Sequence, residues 1–218
     1  MEKINTYIEH TLLSPEISSK KVETLAKEAI THGFHGICIP PYWVKKAKRE
    51  VEGSEVKIVT VIGFPLGYQI TSVKVAEIQK AIADGAGEID MVLNLGAFRE
   101  NPAGWAKPDV AACAKACHEA EVPLKVILET AYLSDEEIKA ACFLCKEAGA
   151  DFVKTSTGFA PAGAKAEHIK LMRESVGEQL GIKASGGVKT LSDALAMIEA
   201  GADRIGTSSG VAIVKEAN

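Results

Sequence analysis

Lys154 and Lys183 each lie inside a short apolar run, Asp151-Phe152-Val153-Lys154-Thr155-Ser156-Thr157-Gly158 and Gly181-Ile182-Lys183-Ala184-Ser185-Gly186-Gly187. An isolated ammonium out of water is very unfavourable, so a lysine in a buried strand must be paired or neutralised. Two lysines in consecutive strands repel, and each is expected to lower the other's pKa. A lysine that is a free amine near neutral pH adds to a carbonyl and forms a Schiff base. Bringing a lysine from ~10.4 to ~7 takes roughly 4–5 kcal/mol. Two ammonium groups ~6 Å apart at an effective dielectric of ~20 repel by roughly 3 kcal/mol, so the neighbour supplies most of the shift and desolvation the rest. The competing reading makes both lysines strand-end residues whose heads reach water. The Ser/Thr/Gly runs after both lysines favour the chemical reading.

Three such runs recur late in the chain: Ser156-Thr157-Gly158-Phe159, Ser185-Gly186-Gly187-Val188-Lys189 and Gly206-Thr207-Ser208-Ser209-Gly210. Glycine lets the backbone approach an anion, serine adds hydroxyl donors, and a following helix N-terminus favours negative charge. A Gly-Gly alone is also an ordinary turn; two such loops after the last two strands of a barrel point to a phosphate site.

The elements that must hold these residues follow from the hydrophobic period. Strands are expected over 8–12, 36–39, 56–63, 88–94, 124–129, 152–156, 181–186 and 203–208. Helices are expected over 19–31, 42–52, 71–84, 106–120, 134–148, 165–177 and 190–200, with a short one after Ser209. This alternation predicts a parallel sheet and, with eight units in 218 residues, a single (β/α)8 barrel domain over 1–218. A fourfold echo supports the count: Gly33, Gly85, Gly149 and Gly201 each end a helical stretch and lead into a strand. Such glycines are read as structural, each a left-handed residue that closes its helix.

Chemistry in these barrels sits at the C-terminal ends of the strands. That rule keeps Lys154, Lys183, Asp90, Asn94 and Glu129 as candidates. Lys57 and Lys125 start their strands and are expected on the opposite face, although Lys125 has the length to reach inward. His10, at the end of the first strand, either lines the site or packs. His32 and His35 flank a helix-to-strand turn at the wrong end. The five histidines form no paired-ligand motif, so no metal and no cofactor are expected.

The bulk composition narrows the partners. The net charge is −4, with no basic face to recommend nucleic acid or an anionic membrane, so a phosphorylated substrate needs a local positive site. No apolar run approaches membrane-spanning length and the first residues carry no apolar leader, so a cytoplasmic protein is expected. Five cysteines, an odd number, fit a reducing compartment; Cys113, Cys117, Cys142 and Cys145 fall in helical stretches and are read as core.

These residues carry a resemblance. The two lysine motifs, Glu-Ile-Asp-Met-Val at 88–92, Val-Ile-Gly-Phe-Pro-Leu-Gly at 61–67 and His-Thr-Leu-Leu at 10–13 resemble, in order and over nearly the whole chain, the deoxyribose-phosphate aldolase family. The resemblance implies a class I aldolase that interconverts 2-deoxy-D-ribose 5-phosphate with acetaldehyde and D-glyceraldehyde 3-phosphate. It makes Lys154 the Schiff-base lysine, Lys183 the second lysine and Asp90 the proton-relay carboxylate. It places Thr157, Gly158, Gly186, Gly187, Gly206, Ser208 and Ser209 near the substrate phosphate. Each step moves a proton, so a positioned acid/base is required. Asp90 with Lys183 and a water fits that role; the competing role is a charge partner for a buried lysine. A homodimer through outer helices is the expected assembly.

The chain departs from the family pattern in three places. Glu9 replaces the usual aspartate before His-Thr-Leu-Leu, Cys38-Ile39-Pro40-Pro41 lacks the frequent Asn-Pro, and the C-terminal tyrosine of some members is missing. Glu9 keeps the charge and is held as a candidate hydrogen-bonding site residue. None of the three departures is expected to touch Lys154, Lys183 or Asp90, so the reaction class is expected to survive. Two other readings compete: another Schiff-base barrel, such as a transaldolase or keto-acid aldolase, and a catalytically silent phosphosugar-binding barrel.

Overall fold

The computed structural model describes residues 4–217; the reading of the first residues as lacking a leader, and the outer limits of the 1–218 domain, fall in part outside them. Eight strands form a closed parallel barrel in sequence order: β1 (Ile8–Thr11), β2 (Gly36–Ile39), β3 (Lys57–Ile62), β4 (Glu88–Val92), β5 (Leu124–Ile127), β6 (Phe152–Lys154), β7 (Gly181–Ser185) and β8 (Arg204–Thr207), with β8 pairing back to β1. Each strand is shielded on both faces, which explains why apolar runs, not alternation, mark them in the sequence. The helices are α1 (Ser19–His32), α2 (Val44–Glu50), α3 (Thr71–Ala83), α4 (Leu95–Glu100), α5 (Lys107–His118), α6 (Asp135–Glu147), α7 (Ala166–Val176), α8 (Leu191–Glu199) and α9 (Gly210–Glu216). All eight strands fall where the sequence places them, most of them one or two residues shorter.

Two departures have local causes. α2 begins only at Val44, because Pro41–Trp43 forms a 3-10 turn entered through Pro40. The segment between β4 and α5, unassigned in the sequence, holds α4 and a single π turn over Pro102–Ala106. Side chains set its limits: Asn94 Oδ1 accepts the Ala97 N–H and Asn101 Oδ1 accepts the Gly104 N–H. Such short capped pieces leave no hydrophobic period to detect.

The longer helices carry start signals of their own. Ser134 and Glu137 form a reciprocal capping box on α6, and Thr190 and Asp193 do the same on α8. Gly33, Gly85, Gly149 and Gly201 all have positive φ, 62°, 109°, 84° and 112°. They turn the chain from helix to strand, as the fourfold echo implies. The main apolar core fills the space between barrel and helices and includes Cys113, Cys117, Cys142 and Cys145, all free and buried. Inside the barrel a second, small apolar cluster of Cys38, Val59 and Val61 lies on the β2–β3 side, covered by Leu13 and Phe64. Most of the buried charge lies on the other side of the interior, on β1 and β4 to β7.

Gly149 isolates the conformational role of these glycines, since a Cβ there would meet nothing closer than Ala114 Cβ at 4.0 Å. Gly149→Ala should therefore cost only the left-handed backbone penalty, roughly 1–2 kcal/mol. Urea unfolding of the two proteins measures it directly.

Candidate active site

The barrel register places the charged residues in pairs. Lys154 on β6 is the direct neighbour of Lys183 on β7, and Asp90 on β4 is the direct neighbour of Lys125 on β5. Side chains alternate along a strand, so Glu88 and Asp90 share one face of β4. All of these, with Glu9 of β1, converge inside the barrel.

Asp90 is the centre. Its Oδ2 accepts from Lys154 Nζ at 2.8 Å and from Lys183 Nζ at 2.6 Å, while Oδ1 accepts from Lys125 Nζ at 3.0 Å. Lys154 and Lys183 thus share one oxygen atom. Lys183 also bonds Glu9, and Lys125 bonds Glu88 and lies 3.4 Å from Glu9. Glu88 in turn bonds His35 Nε2 at 2.7 Å. Three lysines and three carboxylates therefore form one continuous network.

Lys154 is 2% exposed and Lys183 fully buried, which removes the reading of both as strand-end residues with heads in water. The expectation that the pair lowers both pKa values fails for Lys183. Burial opposes its charge, but Asp90 and Glu9 outweigh that and raise its pKa above the ordinary 10.5. Asp90 is held well below the usual carboxylate range: burial works against its charge, and the three surrounding ammonium groups overcome it. Lys125 is also corrected. It starts β5, yet it is fully buried, points into the barrel and is raised well above 10.5 by Asp90, Glu9 and Glu88 against the cost of burial.

Above this network opens a cavity of about 420 Å³ at the C-terminal mouth of the barrel. Lys154 reaches its floor, and the three glycine-rich loops wall it with Thr157, Gly158, Gly186, Gly187, Gly206 and Ser208. Lys183 and Asp90 lie beneath it. Gly158, Gly186 and Gly187 have φ of 89°, 84° and 81°, which other residues rarely adopt. Gly163 packs so closely that a Cβ on it would fall 2.1 Å from the Gly186 carbonyl oxygen, and Ala164 N–H bonds that same oxygen at 2.9 Å. The loops after β6 and β7 therefore fix one another. Ser185 Oγ donates to the Ser156 carbonyl at 2.7 Å and Thr155 Oγ1 to the Ser185 carbonyl at 3.0 Å, adding to the same clamp.

Several candidates lie elsewhere. Ser209 is not in the cavity wall; its N–H bonds Thr207 Oγ1 ahead of α9. His10 packs: it bonds Glu28 of α1 at 2.9 Å and meets the Phe34 ring edge-on. His32 stacks on Phe34 and Lys57 is exposed. Asn94 caps α4. Glu9, expected to stay clear of Lys183, is instead fully buried and paired with it, so this departure from the family pattern lies inside the network. Pro40 and Pro41 line an adjoining apolar pocket of about 550 Å³ with Phe64 and Phe159. Residues not singled out as site residues also line the main cavity, namely Thr11 to Ser14 after β1, Ser185, and the exposed Lys189, a cation at the rim. Lys189 was detectable as the one charge in a phosphate-type loop. Glu9, His35 and Glu88 bring ligand atoms within 4.8 Å of one another. Glu9 and Glu88 already face the Lys125 ammonium there, and His35 bonds Glu88.

The network has a pH signature. Burial opposes the charge of Glu88, but Lys125 and His35 outweigh it and lower its pKa from 4.5 to about 2, and Asp90 is held well below its usual range. A depressed carboxylate pKa adds stability that is complete above the unfolded value and is lost as pH falls through the folded one. Unfolding free energy should therefore decline from about pH 4.5 toward pH 2. Glu88→Gln should flatten that decline, as followed by urea titration across this range. An unchanged slope in the variant would contradict the assignment.

The comparisons with known proteins agree with this geometry. The model of the DeoC/LacD aldolase family matches residues 4–216. A deoxyribose-phosphate aldolase of Thermococcus gammatolerans is 51% identical over 216 residues, spanning 98% of this chain and 96% of its own. One of Brevibacillus brevis is 53% identical over 211 residues, spanning 97% and 95%. Among solved structures, an aldolase 44% identical superposes with a TM-score of 0.94 over all of this chain and 96% of its own. A tetrameric deoxyribose phosphate aldolase of Aeropyrum pernix, 33% identical, gives 0.92 over 98% and 90%. A buried lysine network under a glycine-walled cavity in a (β/α)8 barrel, matched from end to end by these proteins, makes this chain a member of the DeoC/LacD family of aldolases.

Proposed function

We propose that this enzyme cleaves 2-deoxy-D-ribose 5-phosphate reversibly to acetaldehyde and D-glyceraldehyde 3-phosphate through a Schiff base on Lys154. The observation that carries the reading is the position of Lys154: the one lysine of the network that reaches the cavity, hydrogen-bonded to an aspartate that two other ammonium groups already neutralise. Asp90 does not depend on Lys154 for its counter-charge. The Lys154 nitrogen can thus leave Asp90 to meet the substrate, while Lys183, its charge favoured by Asp90 and Glu9 against the cost of burial, stays an ammonium beside it.

The steps follow. The Lys154 amine adds to C1 of the open-chain aldehyde, and loss of water from the carbinolamine gives an iminium. The C3 hydroxyl then loses its proton, the C2–C3 bond breaks and its electron pair enters the iminium, leaving an enamine and free glyceraldehyde 3-phosphate. Protonation of the enamine carbon and hydrolysis release acetaldehyde and restore the amine. Asp90, Lys183 and a water relay protons around the nitrogen. The phosphate is held at Gly158, Gly186, Gly187, Gly206 and Ser208, with Lys189 as its counter-charge at the rim. No helix among the described residues is long and apolar enough to cross a membrane. The five free, buried cysteines fit a reducing cytoplasm. The tetramer formed by the Aeropyrum relative supports a homo-oligomer.

Lys154→Ala should lower kcat/KM for deoxyribose phosphate cleavage by at least ~10³-fold while far-ultraviolet circular dichroism stays that of the parent protein. Turnover comparable to the parent would remove the mechanism. Lys189→Ala should raise KM for the phosphorylated substrate by roughly 10-fold and leave kcat/KM for unphosphorylated deoxyribose nearly unchanged.

A further inference from the structure

Glu129, just past β5, has a backbone and a side chain that both call for explanation. It is a non-glycine residue in the left-handed region, φ 55° and ψ 61°, a conformation that costs roughly 1–2 kcal/mol. Its carboxylate is nevertheless drawn inward and is only 4% exposed. There it accepts the Thr157 N–H at 3.2 and 3.3 Å and also the Thr157 hydroxyl. Thr157 Oγ1 in turn accepts the Phe159 N–H at 3.1 Å. The hydroxyl proton is thereby committed to Glu129, and the oxygen keeps one lone pair. Thr157 lines the cavity whose floor is Lys154, three residues earlier, and also a smaller adjoining cavity of about 110 Å³ that Glu129 itself lines. The oxygen is therefore an acceptor in the wall of the cavity that Lys154 also lines, suited to a substrate hydroxyl.

We propose that Glu129 is a positioning residue that acts through Thr157, whose oxygen binds the substrate C3 hydroxyl and passes the proton released on cleavage to the Glu129 carboxylate. The inference rests on the Schiff-base reading above. In the step, the substrate O–H proton moves to Thr157 Oγ1 and the Thr157 proton moves to Glu129. The O–H electron pair becomes the new carbonyl bond, and the C2–C3 pair goes into the iminium. No other reactant is required, and the reverse shift returns the proton in the addition direction. Burial raises the Glu129 pKa above its ordinary value, with the Thr157 bonds and the charge of Lys154 opposing. That direction makes it a stronger base than an exposed carboxylate. Asp90, held well below the usual range among three ammonium groups, is poorly suited to keep a proton.

Glu129→Gln separates orientation from proton uptake, because the amide oxygen still accepts from Thr157 but the group no longer takes a proton. The expected result is a fall in kcat for cleavage of roughly 10²-fold with KM within about twofold, and loss of the acidic limb of the kcat–pH profile. Borohydride reduction with acetaldehyde should still label Lys154, since that reaction needs no C3 proton transfer. Thr157→Val should reproduce the kinetic loss and Thr157→Ser should restore most of it. Unchanged kcat and acidic limb in Glu129→Gln would overturn the proposal. Equal loss of labelling and cleavage would also overturn it, by showing that Glu129 only shapes the loop. Failure of the parent protein to label at all would instead overturn the Lys154 reading, and this inference with it.

Discussion

A single carboxylate, Asp90, accepts hydrogen bonds from three lysine ammonium groups in the interior of the barrel, and the rest of the site is arranged around that fact. Burying charge is costly, and a buried ion pair is tolerated only where geometry and further hydrogen bonds are good. Here the cost is met by a network: Glu9 and Glu88 take up the remaining lysine charge, and His35 takes up the far oxygen of Glu88. Loss of Asp90 takes away the carboxylate that pairs with Lys154, and breaking a buried pair in this way typically costs about 3–5 kcal/mol. The chemistry and the stability of the barrel centre are therefore not separable.

The fold serves this network by dividing the barrel interior. The β2–β3 side is filled with Cys38, Val59 and Val61, while β1 and β4 to β7 contribute the charges. Burial raises the Cys38 thiol pKa against the pull of the nearby lysines, so the apolar side stays neutral beside the charged one. At the mouth, the loops after β6 and β7, whose Gly158, Gly186 and Gly187 adopt positive φ, interlock through Gly163 and Gly186. Thr207 Oγ1 ties the loop after β8 to the Val188 carbonyl, and the three together wall the cavity above Lys154. Lys154 and the loops proposed to hold the phosphate belong to adjacent strands, so one frame sets the distance between them.

Much of this was legible in the sequence. The eight apolar runs predict the eight strands, because a parallel barrel buries both faces of each one and leaves no alternation to confuse with a helix. Lys154, Lys183 and Asp90 stand out because charge inside such a run demands a partner. Lys125 starts its strand, and of the two placements the sequence allows it takes the inward one, because barrel register sets it beside Asp90. The assumption that two neighbouring lysines depress one another failed for Lys183, because sequence shows the repulsion between them but not the shared aspartate oxygen. The segment 95–106 was missed because its turns are made by side-chain caps. Glu129 was noted by position alone; its left-handed backbone and grip on Thr157 depend on contacts 28 residues apart.

The most direct test of the account is borohydride reduction of the enzyme with acetaldehyde, followed by peptide mass spectrometry. The account predicts an N-ethyl group on Lys154 alone, with Lys183 and Lys125 unmodified because both remain ammonium groups bound to carboxylates. Labelling of Lys183 or Lys125 in place of Lys154 would contradict it, as would the absence of any label in folded protein.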